Sequence, residues 1–304
     1  HPLLEKRGGT ASTDDAYDFR FDALIPPSET TFELYSAAIA PVIRATVEGF
    51  NGTVFAYGQT GSGKTHSMMG TDDEPGVIPL AIQEVFDHSA FELASDTRRK
   101  YLLRVSYLEI YNEQLKDLLG DRSAKPAKLE IRETSGRMEV SGAYEEIVSS
   151  PIEVIEALQR GENSRHVGAT DWNHRSSRSH CVFTLTIDSC VGRCLTELNM
   201  QNLIDLAGSE LATSQAERRM EGKFINKSLL ALKQVIQKLT DKKLAGAHIP
   251  YRDSKLTRLL ETSLGGNARV AIICTASPDR RCAVETVSTL RFARDAKKVE
   301  TRAQ

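Results

Sequence analysis

Between the short β-rich run GTVFAY (52–57) and the segment His66–Gly70 lies Gly58-Gln59-Thr60-Gly61-Ser62-Gly63-Lys64-Thr65. It fits the pattern G-x-x-x-x-G-K-[ST] without a mismatch, in a strand–turn–helix setting. Glycines let the backbone wrap so that successive N–H groups point inward at anionic oxygens. The helix that follows, opening near His66, adds the partial positive charge of its N-terminus. Lys64 is placed to reach β- and γ-phosphates, and the Thr65 hydroxyl to ligate Mg²⁺. A glycine-rich turn with a chance lysine is the alternative, and the complete match in context weighs against it. The segment predicts a bound nucleoside triphosphate. Guanine readers carry N-K-x-D, whereas the Asn-Lys here, Asn226-Lys227, continues into Ser228-Leu229, so ATP is favoured.

Strand-like and helix-like segments alternate along the chain. YLLRVSYLEIY (101–111), CVFTLTID (181–188), QNLIDLAG (201–208) and RVAIICTAS (269–277) are rich in aromatic and β-branched residues. Between them FELYSAAIAPVIRATVEG, SPIEVIEALQRGE, NKSLLALKQVIQKL and VETVSTLRFARDAKKV carry helical periodicity. This order predicts an α/β P-loop NTPase fold, with a central mostly parallel mixed sheet and helices on both faces. No repeat or long linker divides the chain, so a single domain is expected.

A hydrolase needs groups that respond when the γ-phosphate leaves. DLAGSE closes an apolar strand; its D-x-x-G core sets Asp205 near the metal and the Gly208 N–H near the γ-phosphate, with Glu210 just beyond. A second candidate is NHRSSRSH, running from Asn173 through Ser176, Ser177 and Arg178 to His180. Alone it reads as a serine-rich capping loop. Beside a P-loop it supplies a second hydroxyl for the metal and an arginine for the phosphates.

The set GQTGSGKTH, NHRSSRSH and DLAGSE, in that order, resembles the motor domain of kinesins. The likeness continues through NKSLLALKQVIQKL, HIPYRDSKLTRLLETSLGGNARVAIICTASP and STLRFARDAKK, and so covers essentially the whole chain. It implies an ATP/ADP site with Mg²⁺ held by Thr65, Ser177 and Asp205. It implies an Arg178–Glu210 ion pair that closes the two sensor loops, and an attacking water organised by Ser176 and Asn226, with Asn173 in the same catalytic cluster. It implies that the helix bearing Leu229, Leu232, Ile236 and Leu239 on one stripe lies against the microtubule, with Lys227 and Lys238 nearly on one azimuth. Arg252, Lys255 and Arg258, at three-residue spacing, would add a basic strip on one side if helical, facing acidic tubulin. The sequence departs from the family at Leu211, where a basic residue is common, at Lys233, where glycine is common, and in a short LATSQAERRMEGKF stretch. These bear on filament affinity rather than on the ATP site. The family's first strand is expected to lie upstream of this sequence.

By the same resemblance residues 1–296 form the motor domain and 297–304 begin a neck linker, which goes with plus-end-directed movement and a homodimer joined through a stalk outside this sequence. The ending AKKVETRAQ resembles the centromere-associated or phragmoplast branch. A microtubule-end depolymerase and a nucleotide-gated microtubule-binding scaffold are the alternatives; the intact set of Lys64, Thr65, Ser177, Arg178, Asp205 and Glu210 argues against an inactive scaffold. The net charge of −2 points to no nucleic-acid partner, and no apolar run is long enough for membrane insertion. Cys181, Cys190, Cys194, Cys274 and Cys282 match no zinc spacing and read as reduced thiols. A cytoplasmic setting on the microtubule cytoskeleton, the spindle included, is the expectation.

Overall fold

A computed structural model of the chain describes residues 18–95, 99–120, 128–134, 136–167, 176–191, 194–210, 216–241 and 247–301. In order they form α1 (Thr31–Leu34), a π-helical turn (Tyr35–Ile39), α2 (Ala40–Val47), β1 (Gly52–Tyr57), α3 (Lys64–Met69) and α4 (Val77–Ser95). Next come β2 (Arg99–Tyr111), β3 (Gln114–Asp117), β4 (Glu130–Thr134), β5 (Arg137–Ser141), β6 (Glu146–Val148) and α5 (Pro151–Val167). The last part contains β7 (His180–Val191), β8 (Cys194–Asp205), α6 (Ala216–Thr240), α7 (Lys255–Leu259), α8 (Glu261–Leu264), β9 (Arg269–Cys274) and α9 (Ala283–Ala296).

The central sheet has the order β3-β2-β7-β8-β1-β9, with β6 added on β2. β1 pairs in parallel with β8 and β9, whereas β2, β3, β6, β7 and β8 meet in antiparallel ladders. By these pairings β2, β8, β1 and β9 run in one sense, and β3, β6 and β7 in the other. The sheet is therefore mixed, with its parallel part, β8-β1-β9, at one end of the order, where the P-loop strand sits. A separate β4–β5 hairpin packs near α7 and α8.

β1 is buried along its whole length because both of its faces are covered. Val54 and Ala56 join one core with Ile43, Met68, Ile82, Tyr107, Phe183 and Leu203. Phe55 and Tyr57 join another with Ile204, Leu206, Leu229, Leu232, Ile236, Leu256 and Phe292. The alternation explains why a central strand reads as continuously apolar. α2 to α5 cover the first face, and α6 to α9 the second. Tyr57, the last strand residue before the P-loop, stacks on Phe292 of α9 with ring centroids 3.7 Å apart.

Three elements differ from the sequence expectation for identifiable reasons. The first helix is broken by the π turn immediately ahead of Pro41, where the Ala40 N–H reaches back to the Tyr35 carbonyl. Proline has no N–H to continue an ordinary ladder, and the wider turn absorbs the gap. α6 begins ten residues before Asn226, so much of the stretch after Glu210 is helix rather than loop. The basic segment HIPYRDSKLTRLL is not one helix: a 3₁₀ turn (Tyr251–Asp253) is separated from α7 by extended Ser254. Ser254 caps α7 by accepting from the Leu256 N–H, and it donates to Glu113, whose other oxygen accepts from the Lys255 N–H. Glu113 holds a positive φ in the β2–β3 turn, a conformation that these bonds fix.

The burial of α6 predicts unequal responses on its two sides. Leu232 is fully enclosed, whereas Leu230 is 55% exposed. Leu232→Ala should cost about 2–5 kcal/mol in urea unfolding, and Leu230→Ala less than about 0.5 kcal/mol. Equal costs would mean that α6 is rotated from the orientation described.

Candidate active site

The P-loop leaves β1 at Gly58 and enters α3 through Gly63. Gly61 and Gly63 have φ of 75° and 104°, values that a Cβ disfavours, and open space lies on their Cβ sides. Lys64 is buried, its Nζ donating to the carbonyls of Gly58 (3.0 Å) and Gln59 (2.9 Å). Burial pushes its ammonium pKa down, opposed by the negative charges of Asp205 and Glu210. Ser62 Oγ meets Thr275 Oγ1 at 2.6 Å, tying the loop to the segment after β9. Gln59 Nε2 approaches Cys282 Sγ at 3.0 Å. Thr60, Gly61, Thr65 and His66 are exposed.

β8 delivers the second motif to the same place. Asp205 lies opposite Ala56 of β1, and Thr65 Oγ1 donates to Asp205 Oδ2 at 2.6 Å. Asp205 Oδ1 is buried with no hydrogen-bond partner among the described residues. Burial raises the Asp205 carboxyl pKa, offset by the Thr65 hydrogen bond and the nearby Lys64 charge. A hydroxyl beside a buried carboxylate with an unused oxygen fits Mg²⁺, a hard cation that takes oxygen ligands. Ser177, half-buried, stands on the neighbouring 3₁₀ turn Ser176–Arg178.

Beyond Asp205 the chain is stitched to both neighbours. The Leu206 N–H donates to the Ala56 carbonyl (3.4 Å) and the Ser209 N–H to the Gly58 carbonyl (3.0 Å). The Gly208 N–H donates to the Ser177 carbonyl at 2.8 Å, joining the two sensor segments. A Cβ at Gly208 would overlap Thr60 Oγ1 and the Glu210 carboxylate, so the close approach needs glycine. Glu210 closes onto the P-loop: its Oε2 accepts from the Thr60 N–H at 2.8 Å and its Oε1 from the Thr60 hydroxyl. In this conformation Thr60, rather than Arg178, is the partner that the Glu210 carboxylate meets.

Three features gave no signal in the sequence. Thr60, expected among the nucleotide-binding residues Gly58 to His66, also holds Glu210, a contact that the sequence did not suggest. Arg165 of α5 is buried, pairs with Glu109 (3.7 Å) and Glu162 (3.6 Å), and donates to Ser179 Oγ at 3.1 Å, anchoring the second sensor from behind. His180 is 2% exposed; its Nδ1 accepts from the Ala207 N–H at 3.0 Å and its Nε2 meets Ser228 Oγ at 2.7 Å. A buried side chain that bridges distant segments leaves no periodic trace.

The remaining expected site residues divide by position. Asn173 and Leu211 lie outside the described residues, and of Ser176 and Asn226 only the backbone is described, on the 3₁₀ turn and on α6. On α6 the apolar stripe is as expected, with Leu229, Leu232 and Ile236 buried and Leu239 half-buried. Lys227 is exposed; Lys238 is half-buried and donates to the His248 carbonyl at 3.2 Å. Lys233 turns inward, with Nζ 6.0 Å from the centroid of the Tyr57 ring. Arg252, Lys255 and Arg258 do not share one helical face, because Ser254 interrupts it; Arg252 is exposed, whereas Lys255 and Arg258 are half-buried.

The kinesin motor domain family pattern matches residues 4–299. The chain belongs to the kinesin motor-domain family. The kinesin-like protein KIN-7M, chloroplastic, of Arabidopsis thaliana is 48% identical over 293 residues, which are 94% of this chain and 27% of that protein. Across such relatives the chain spans between 24% and 45% of their length. Among solved structures, a fast kinesin superposes with a TM-score of 0.84 at 42% identity, covering 94% of this chain and 81% of that one. The two-heads-bound KIF14 dimer, in complex with AMP-PNP and a microtubule, gives 0.82 at 38% identity, covering 95% and 84%. The chain has the P-loop NTPase fold of this family. Among the described residues no helix is long and apolar enough to cross a membrane.

Burial holds the His180 pKa down at about 3 from its usual 6.5, with the Lys64 and Arg165 charges acting in the same direction. Between those values the unfolded chain binds a proton that the folded chain refuses. Stability should therefore fall as pH drops below about 6.5, by about 2 kcal/mol at pH 5 from this ring alone. Urea unfolding at pH 7 and pH 5 measures it, and His180→Gln should remove that share of the pH dependence. An unchanged difference between the two pH values in the variant would contradict the assignment.

Proposed function

We propose that this chain hydrolyses ATP and couples the hydrolysis to movement along microtubules, with residues 1–296 as the motor and 297–304 as the start of its neck linker. The observation that carries the reading is the Thr65–Asp205 contact with its unused buried oxygen, set beside a complete P-loop in a chain of this family. Thr65, Asp205 and Ser177 would hold Mg²⁺, which supplies charge neutralisation at the phosphate oxygens when bound. Lys64 has two carbonyl contacts within the loop that it can exchange for phosphate oxygens. Phosphoryl transfer then rests on positioning and charge stabilisation.

The sensor segments carry the coupling. The Gly208 N–H exchanges the Ser177 carbonyl for a γ-phosphate oxygen, and Glu210 exchanges Thr60 for Arg178. Ser176, Asn173 and Asn226 organise the attacking water. Both exchanges are reversed when the γ-phosphate leaves, and α6, downstream of Glu210, reports the change to the filament. Lys227 and Arg252, exposed on the α6 side, are the primary contacts to acidic tubulin, with Lys238, Lys255 and Arg258 in support. The microtubule in the KIF14 complex is that protein's partner and supports the same class of partner here. Plus-end direction, homodimerisation through a stalk, and a cytoplasmic or spindle location follow the same family reading.

ATPase rate with and without microtubules tests the reading, and gliding of polarity-marked filaments tests direction. Lys64→Ala should abolish turnover, and unchanged hydrolysis would reject the P-loop assignment. Lys227→Ala with Arg252→Ala should weaken co-sedimentation and flatten its salt dependence, since exposed charges act within about 8 Å at physiological salt. Basal turnover should be spared. Wild-type co-sedimentation at low and moderate salt would remove these two residues from the interface.

A further inference from the structure

His180 stands at the start of β7 and makes a hydrogen bond from each ring nitrogen to a different segment. Nδ1 accepts from a backbone N–H, so the ring proton is on Nε2, and Nε2–H donates to Ser228 Oγ. The three groups come from positions 180, 207 and 228, and both side chains are enclosed, at 2% and 3% exposure. Ala207 immediately precedes Gly208. Two successive amides of one segment thus turn to the β7 side: Ala207 to the imidazole and Gly208 to the Ser177 carbonyl. Ser228 sits one residue from exposed Lys227 and beside buried Leu229 of α6. Leu206 and Leu229 also pack together in the second core. Apolar packing is non-directional and tolerates sliding, whereas the two hydrogen bonds fix direction and distance.

We propose that His180 is a positioning residue, a joint through which displacement of Ala207–Gly208 is carried to α6 by way of Ser228. Movement of the Gly208 amide shifts the adjoining Ala207 peptide. The imidazole, held at both nitrogens, must move with it or give up one bond. Either outcome changes the anchoring of the α6 turn that carries Ser228, beside the lysine that faces outward. The proposal rests on the motor reading for its biological consequence, but the mechanical link itself requires only that the Gly208 segment respond to nucleotide.

Ser228→Ala removes the bond to the ring Nε2 and leaves the imidazole and its Ala207 contact in place. Ser228→Thr retains the hydroxyl. His180→Asn keeps an acceptor near the Nδ1 position but cannot reach Ser228. The full chain is compared with ADP and with a non-hydrolysable ATP analogue by hydrogen–deuterium exchange over 228–240, together with basal and microtubule-stimulated ATPase and melting temperature. In wild type, exchange over 228–240 should differ between the two nucleotides. Ser228→Ala and His180→Asn should erase that difference, and Ser228→Ala should lower microtubule stimulation by about tenfold, the order of a typical coupling energy. Basal turnover of Ser228→Ala should stay within about twofold of wild type, and Ser228→Thr should restore the response. The joint is overturned if Ser228→Ala keeps the exchange difference, or if wild type shows none. It is also overturned if exchange, basal rate and melting temperature fall together in Ser228→Ala and Ser228→Thr alike, the mark of a packing role. A wild type without microtubule stimulation, whose exchange difference Ser228→Ala still erases, would reject the motor reading and leave the joint standing.

Discussion

The parallel register of β1 on β8 is the constraint from which the site follows. With Ala56 opposite Asp205, the last turn of one strand and the end of the other emerge side by side. The P-loop continues from the first and the DLAGSE segment from the second. Thr65 and Asp205 meet at 2.6 Å because of that register. A slip of one residue would turn Asp205 to the opposite face of the sheet. Burial of β1 on both faces makes such a slip expensive, since Phe55 and Tyr57 would trade cores with Val54 and Ala56.

The same arrangement explains why exchangeable hydrogen bonds, several of them from the backbone, surround the site. Gly58 accepts from Ser209 and Ser177 from Gly208, while Thr60 holds Glu210 through its amide and its hydroxyl. Each of these four hydrogen bonds is net worth about 1 kcal/mol, somewhat more for the two that the Glu210 carboxylate accepts, so the set can be exchanged without dismantling the fold. The fixed parts lie behind it. Arg165 anchors Ser179 from α5, Ser62 is tied to Thr275, and the Tyr57–Phe292 stack links the P-loop strand to α9.

Much of this was legible in the sequence, and for physical reasons. GTVFAY and CVFTLTID read as strands because both of their faces are buried, the half-buried RVAIICTAS because its β-branched residues pack on both cores, and the P-loop because its backbone path demands glycine at Gly61 and Gly63. The α6 stripe was legible through its period, and that period also placed Lys227 outward. The run Arg252, Lys255, Arg258 misled, since three-residue spacing carries no information about Ser254, whose hydroxyl starts a new helix. The π turn before Pro41 and the early start of α6 were hidden for a similar reason: tertiary contacts set helix boundaries. The contacts of Thr60 with Glu210, Arg165 with Glu109 and His180 with Ala207 and Ser228 were illegible because the partners lie far apart in sequence, and Lys233 gave no sign that it turns inward over Tyr57.

Partner exchange at Glu210 is the most exposed part of the account, because Glu210 meets Thr60 here and is assigned to Arg178 during turnover. A double-mutant cycle on microtubule-stimulated ATPase tests it directly. Glu210→Ala and Arg178→Ala should each reduce turnover about 10²–10³-fold, the order expected when one preorganised electrostatic element is lost. The double variant should be little worse than either, because residues that act as a unit are not additive. Small, additive losses, with a coupling energy near zero, would contradict the exchange.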